Sequence, residues 1–453
     1  MRAVPHPSLR IALVAAATLA IASTGLASAV APFSAPINLG LPTGDDWEPA
    51  IAADSTGHVY AVWSHYVGYG GGSSGEPDPS CPDCASPHTM IRISNDYGAS
   101  WGPPHALVNP SPNRQDDPQI VVDADDGDTV YAAFMQNNKS SMYVAKSTNH
   151  GATFTPVLVE DIERGLDKIA LAARDGDVYL VYHSQEKIFA SISHDAGVHW
   201  TTTQPVKNTN SKLGVSLPSG AAIAPDGTAY FAWNGANKPG QAKGTKNLYL
   251  TKTIDGGDTW TTLPVAVSAP APRCDCGGWD FWGPQMAVGV DGAGALYVLY
   301  NLTAEALDPQ RMYFRKSVDG GDTWTTPPVD VSLAPNGSNN LFPALVAGAS
   351  GDVRVAWMDD RNGFDSGGND PSARWNTYYR SSTDGGATWS SEAQLSAFVA
   401  NYSYKFNNAP HDGFLQPYGD YFEIDIDGHG DTVAIWGEGT SYFGPGNVWF
   451  AHQ

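Results

Sequence analysis

Six copies of one octapeptide constrain this chain more than anything else in it. They read Ser94-Asn-Asp96-Tyr-Gly98-Ala-Ser-Trp101, Ser147-Thr-Asn149-His-Gly151-Ala-Thr-Phe154 and Ser193-His-Asp195-Ala-Gly197-Val-His-Trp200. The motif returns as Thr253-Ile-Asp255-Gly-Gly257-Asp-Thr-Trp260, Ser317-Val-Asp319-Gly-Gly321-Asp-Thr-Trp324 and Ser382-Thr-Asp384-Gly-Gly386-Ala-Thr-Trp389. The Asp or Asn side chain can accept backbone N–H groups and close a turn, while the Gly supplies a positive φ. The last aromatic can pack between neighbouring sheets. One octapeptide would mean little. Six, with aromatics 46 to 65 residues apart, make an array of repeated units.

The same strand pattern surrounds each motif. Gln119 to Asp123 and Thr129 to Phe134 read as first and second strands, Met142 to Lys146 as a third leading into the motif, and Pro156 to Glu160 as a fourth. Equivalent first strands begin near Pro49, Ile169, Gly220, Pro284, Pro343 and Tyr421, which makes seven units. Seven four-stranded units predict an all-β, seven-bladed propeller, whose radial repetition leaves only short edges. The seventh unit stops after its third strand, Asn447 to His452, and an orphan strand at Pro32 to Leu41 precedes the first. Pairing the two would close the ring.

The octapeptide resembles the Asp-box, or BNR, repeat of the sialidase superfamily, and the resemblance covers most of the chain after residue 29. It implies boxes on the turns between third and fourth strands, on the face away from the active site. Asp96, Asp195, Asp255, Asp319 and Asp384 are then structural. The opposite face collects long loops over residues 64–89, 113–117, 160–168, 273–282, 359–375 and 401–420. Loops of this length in a compact array are commonly functional.

Carboxylates stand just ahead of several first strands: Asp45, Asp46, Glu48, Asp116, Asp117, Asp167, Asp280 and Asp420. Glycoside hydrolysis needs an acid and a second carboxylate or equivalent nucleophile. The resemblance further implies arginines for a substrate carboxylate, a Tyr–Glu nucleophile pair and an Asp acid/base. Tyr418 stands where that nucleophile belongs, with Asp420 and Glu423 close in sequence, while Arg361, Arg114 and Arg164 lie on open-face loops. The chain lacks the Phe/Tyr-Arg-Ile-Pro segment that carries the first arginine, and Arg92-Ile-Ser runs straight into a box. The expected catalytic set is therefore Asp46, Asp117, Tyr418 and Asp420. Arg361, Arg114, Trp279 and Trp282 are the expected substrate-binding residues, the two indoles offering flat faces to sugar rings.

Residues 1–29 read as a secretory leader: Arg2 and Arg10, then the apolar run Ile11 to Ile21, then Ala27-Ser28-Ala29. Residues 30–453 form one propeller domain, expected to be an exported monomer with no membrane insertion. Removing Arg2 and Arg10 from 25 basic residues leaves 23 against 47 acidic ones, a net charge of −24. Such acidity argues against nucleic acid, which needs a basic face. The four cysteines fall in two pairs, Cys81 with Cys84 and Cys274 with Cys276. In an exported chain they suggest disulfides, and a four-thiolate zinc site is the alternative. No cofactor is called for, and no metal at the site. The sequence points to a glycoside hydrolase acting on a glycan or glycoconjugate; a non-catalytic propeller binding glycan or protein by the same face is the other reading.

Overall fold

The computed structural model describes residues 31–42, 44–66, 81, 83–109, 113–162, 165–185, 187–206, 214–236, 245–272, 283–362, 375–396, 419, 421–439 and 446–453, with the backbone alone for 214–218 and 236. The leader expected over residues 1–29 lies outside them. Among the described residues, 28 strands form seven antiparallel sheets of four. Blade 1 holds Asp45–Ala53, Val59–Tyr66, His88–Ser94 and His105–Ala106. Blades 2 to 6 repeat that order over residues 115–161, 166–203, 214–268, 286–330 and 340–394. Blade 7 contributes Glu423–Ile426, Thr432–Gly439 and Gly446–His452, and takes its fourth strand, Ile37–Asn38, from the start of the chain. Ile37 lies opposite Phe450 and Asn38 opposite Trp449. Ser34 N and Leu39 N extend the seam by donating to His452 O and Val448 O, at 2.7 and 2.8 Å. The ring therefore closes as the orphan strand predicted.

Each first strand faces the axis, where seven chains converge and space runs out. Small residues answer that crowding: a Cβ on Gly289 would stand 2.4 Å from Leu345 Cδ2 of the next blade. The second strands are sandwiched instead, and each buries an aromatic at its fifth residue, or its sixth in blade 3. These are Trp63, Phe134, Tyr182, Trp233, Tyr300, Trp357 and Trp436. Burying 150–250 Å² per ring yields roughly 4–6 kcal/mol of transfer free energy before entropy is charged against it.

The boxes sit on the turns between third and fourth strands, as expected. In the fifth, Asp319 accepts the Ser317 hydroxyl at 2.7 Å, Thr323 N at 2.9 Å and the Thr323 hydroxyl at 2.5 Å. Gly321, in the left-handed region at φ 88°, donates its N–H to Ser317 Oγ. Box aromatics then cross to neighbouring sheets: Trp101 of blade 1 meets Phe450 of blade 7 edge-on, and Trp389 of blade 6 meets Phe314 of blade 5. A disulfide joins Cys81 to Cys84, which takes two of the four thiols a zinc site would need. Cys274 and Cys276 lie outside the described residues.

Candidate functional site

First strands begin, and second strands end, at the face opposite the boxes: Asp45 pairs with Tyr66, Gln115 with Gln136 and Leu166 with Ser184. Near this open end five first strands slip register, that of blade 4 and four others, between Trp47 and Ala50, Asp116 and Gln119, Asp167 and Ile169, and Leu341 and Ala344. In those four the extra residue is left-handed, namely Glu48, Asp117, Lys168 and Phe342, with φ of 50–53°. Pro49, Pro118 and Pro343 follow three of them, consistent with proline's confinement to edges and bulges. A bulge re-aims the side chain it displaces. Here it puts two carboxylates and one ammonium at corresponding places on three successive blades.

Lys139 gathers this set. It ends a run of three left-handed residues, Asn137 to Lys139, on the turn between the second and third strands of blade 2. Its Nζ lies 2.9 Å from Asp167 Oδ1 and 3.7 Å from Asp117 Oδ1. Burial would lower the Lys139 pKa, but Asp117, Asp167, Asp116 and Glu48 together push it well up and keep the ammonium charged. Burial would likewise raise Asp167, yet the Lys139 and Lys168 charges hold that carboxyl well below the usual range. Asp116 goes the other way: burial lifts it, even though Arg114 grips it at 2.5 and 3.0 Å. Tyr66, desolvated beside Asp116 and Glu48, is pushed far up and stays a protonated phenol. Asp117 is 4% exposed, and its Oδ2 has no hydrogen-bond partner. Diverging carboxylates around one charge are the pattern from which acid and base roles are assigned.

Behind this nest runs an axial channel of about 520 Å³, walled by the first strands of all seven blades. Tyr421 and Lys168 flank it, with the Lys168 Nζ 5.9 Å from the Tyr421 ring centre and the phenol donating to Pro118 O. Deeper in, Glu423 accepts Ile51 N at 3.1 Å and Asp425 accepts Ala53 N at 2.8 Å, stitching blade 7 to blade 1.

The expected site residues divide sharply. Asp117 and Arg114 join the nest. Asp46 does not: it is fully buried, and accepts Trp63 Nε1 and His65 Nδ1 at 2.7 Å each and Leu41 N at 2.7 Å. It satisfies the indole of a core tryptophan, as Asp359 and Glu438 do for Trp357 and Trp436. Arg361 is held at the outer side of blade 6 by Asp359 and Glu392, and its guanidinium lies 3.7 Å over the Tyr378 ring. Those contacts point it away from the axis. Asp45 reaches the Gly446 amide of blade 7. Tyr418, Asp420, Trp279, Trp282 and Arg164 lie outside the described residues. Gly419, next to Tyr418, packs on Glu48: a Cβ there would stand 3.0 Å from Glu48 N. Sequence reading missed Lys139 and Tyr66, because neither precedes a first strand.

The chain matches the family model of the BNR repeat-like domain over residues 43–275. No curated protein matches it. Among solved structures it is similar to an ulvan lyase of a new polysaccharide lyase family, with a TM-score of 0.51 and 11% identity over 91% of this chain and 95% of that one. It is also similar to Hadza microbial sialidase Hz136, with a TM-score of 0.46 and 14% identity over 90% of this chain and 65% of the sialidase. For Trypanosoma rangeli sialidase in complex with sialic acid the TM-score is 0.46 and the identity 13%, over 94% and 59%. At these identities the likeness is one of fold. This chain spans less than two thirds of either sialidase.

Proposed function

This chain belongs to the BNR repeat-like family of sialidase-like propellers, and from that premise we propose that it is an exported glycoside hydrolase working from the open face. The observation that carries the reading is the nest itself. Glu48, Asp116, Asp117 and Asp167, from three blades, surround Lys139, and one buried oxygen of Asp117 is unpartnered. A sugar hydroxyl or glycosidic oxygen would supply that partner. Asp117 is the proposed acid/base. Tyr418 is the proposed nucleophile, with Glu48 beside its neighbour Gly419 as the carboxylate that draws off the phenolic proton. Asp420 would flank them, and Trp279 and Trp282 would wall the sugar. Arg114 and Lys139 already face carboxylates. Among the described residues the nest holds no free arginine clamp, and an uncharged glycan fits better than a sialoside.

A panel of aryl glycosides, one sialoside included, tests this. On whichever substrate turns over, Asp117→Asn and Tyr418→Phe should each lose at least about 100-fold in kcat, the usual scale for a proton-transfer group, with melting temperatures unchanged. Near-normal turnover in both variants would remove the proposed centre. The second reading, a non-catalytic glycan-binding propeller, is favoured by the two-pronged Arg114 grip on Asp116, which withdraws that carboxyl from proton transfer. Binding on a glycan array without turnover anywhere in the panel would establish it.

A further inference from the structure

On the opposite face, two histidines from different blades converge on one buried carboxylate. Asp54 follows directly on the first strand of blade 1 and is 2% exposed. Its Oδ1 is fixed by Thr56 N, Thr56 Oγ1 and His58 N at 2.8–2.9 Å. Its Oδ2 faces His58 Nδ1 at 2.8 Å and His150 Nδ1 at 3.2 Å, and accepts the Tyr60 hydroxyl at 2.9 Å. The two imidazoles stack with centres 4.1 Å apart. We propose that Asp54, His58 and His150 form a zinc site that ties the first turn of blade 1 to the box of blade 2.

The donor set suits the ion. The three ligating atoms lie within 4.8 Å of one another. Zinc bonds of about 2.0–2.1 Å put tetrahedral donors about 3.4 Å apart; the two Asp54–histidine separations, 2.8 and 3.2 Å, are near that, and seating the metal would turn the two imidazoles out of their stack until both ring planes meet it. Two imidazoles exclude the all-oxygen preference of calcium and magnesium. The second nitrogen of His150, Nε2, already faces Asp128 Oδ1 at 3.7 Å, the outer carboxylate that commonly orients a ligating histidine. His58 and His150 side chains are 20% and 34% exposed, which leaves an approach from solvent and a fourth position for water.

A second observation points the same way. The residue before the box glycine is left-handed in every box: Tyr97, His150, Ala196, Gly256, Gly320 and Gly385, with φ from 52 to 70°. Glycine, the residue with no penalty there, fills three of them. A Cβ at this place points to the preceding blade, since one added to Gly256 would meet His194 and one on Gly320 would meet Lys252. The second box keeps a histidine in that strained place and delivers it to Asp54. The corresponding seam between blades 7 and 1 has Tyr97 stacked on His429 beside Asp427 and Asp431, so it offers one imidazole only.

Chelator-treated protein titrated with zinc chloride tests the site by calorimetry, and cobalt(II) gives a d–d absorption readout. Wild type should take one tight equivalent, with a rise in melting temperature and a tetrahedral cobalt spectrum. His150→Gly installs the residue three other boxes use, so its metal-free melting temperature should hold or rise while the tight equivalent and the cobalt bands vanish. His58→Asn should lose them too, and Asp128→Asn should weaken zinc about 10-fold. Zinc affinity in His150→Gly and His58→Asn equal to that of wild type would overturn the proposal, as would absence of a tight equivalent in wild type.

Discussion

A carboxylate beside a turn and a carboxylate beside a substrate look alike in a sequence; partners separate them. The Asp319 carboxylate has three atoms of its own box to bind, and the second box shows what happens when the charge is gone. There Asn149 accepts Ser147 Oγ and Thr153 N and donates to Thr153 Oγ1, closing the same turn. Asp319→Asn should therefore melt close to wild type, and Asp319→Ala clearly lower, with turnover or glycan affinity per folded molecule intact in both. The Thr323 hydroxyl and amide lower Asp319 to about 2. An unfolded chain would bind this proton near 3.9, so the contribution is present above that value and is lost as pH falls toward 2. Differential scanning from pH 5 to 2 should show wild type falling faster than Asp319→Asn. Asp46 makes the contrary case to Asp117. Asp46→Ala would orphan a buried indole, an imidazole and an amide, at about 1–3 kcal/mol for each unsatisfied group. Denaturant midpoints should fall accordingly, while Asp117→Asn should leave them in place. Both residues read from the sequence as standing just ahead of a first strand, and the sequence does not tell them apart: Trp63 and His65 are what claim Asp46, and they become its neighbours only through strand pairing.

At the scale of strands, the blades were legible because each box is a local device: eight residues carry their own turn, glycine and anchor. Closure was legible too, from an incomplete last unit and an unassigned first strand. The bulges were not. A slip of one residue leaves no mark on a pattern of short strands, although Glu48-Pro49, Asp117-Pro118 and Phe342-Pro343 share a spacing in hindsight. The slip decides which side chains meet at the mouth, so the nest had to be seen. Lys139 hid for a similar reason, on a hairpin whose three left-handed residues turn it toward blade 3. Removing residues 32–41 should test closure. It strips blade 7 of its outer strand and leaves the Gly446–His452 edge unpaired. A large drop in melting temperature is expected, and an unchanged one would mean the seam contributes nothing.

For the molecule as a whole, the weakest joint at alkaline pH should be the one between blades 7 and 1. Burial raises Glu423 to about 8 against the opposing pull of the Ile51 amide. The unfolded chain gives up that proton near 4.3. Between these values the folded state holds a proton the unfolded state has lost, so stability declines as pH rises from about 4.5 to 8. Glu423→Gln keeps an acceptor for Ile51 N without a charge to desolvate, and its melting-temperature advantage over wild type should grow across that window. Parallel curves would place the ionisation elsewhere. The same seam has a further consequence for engineering. Gln453 Nε2 donates to the carbonyl of Ala31 at 3.1 Å, so the two ends of the described chain could be fused through a linker of about four residues, each spanning up to about 3.5 Å. New termini cut at Asp226–Gly227, an exposed turn where even a Cβ on Gly227 would meet nothing within 4 Å, would give a circular permutant. In it blade 7 becomes continuous, and blade 4 inherits the role of the blade assembled from both ends of the polypeptide, closed through its innermost strand.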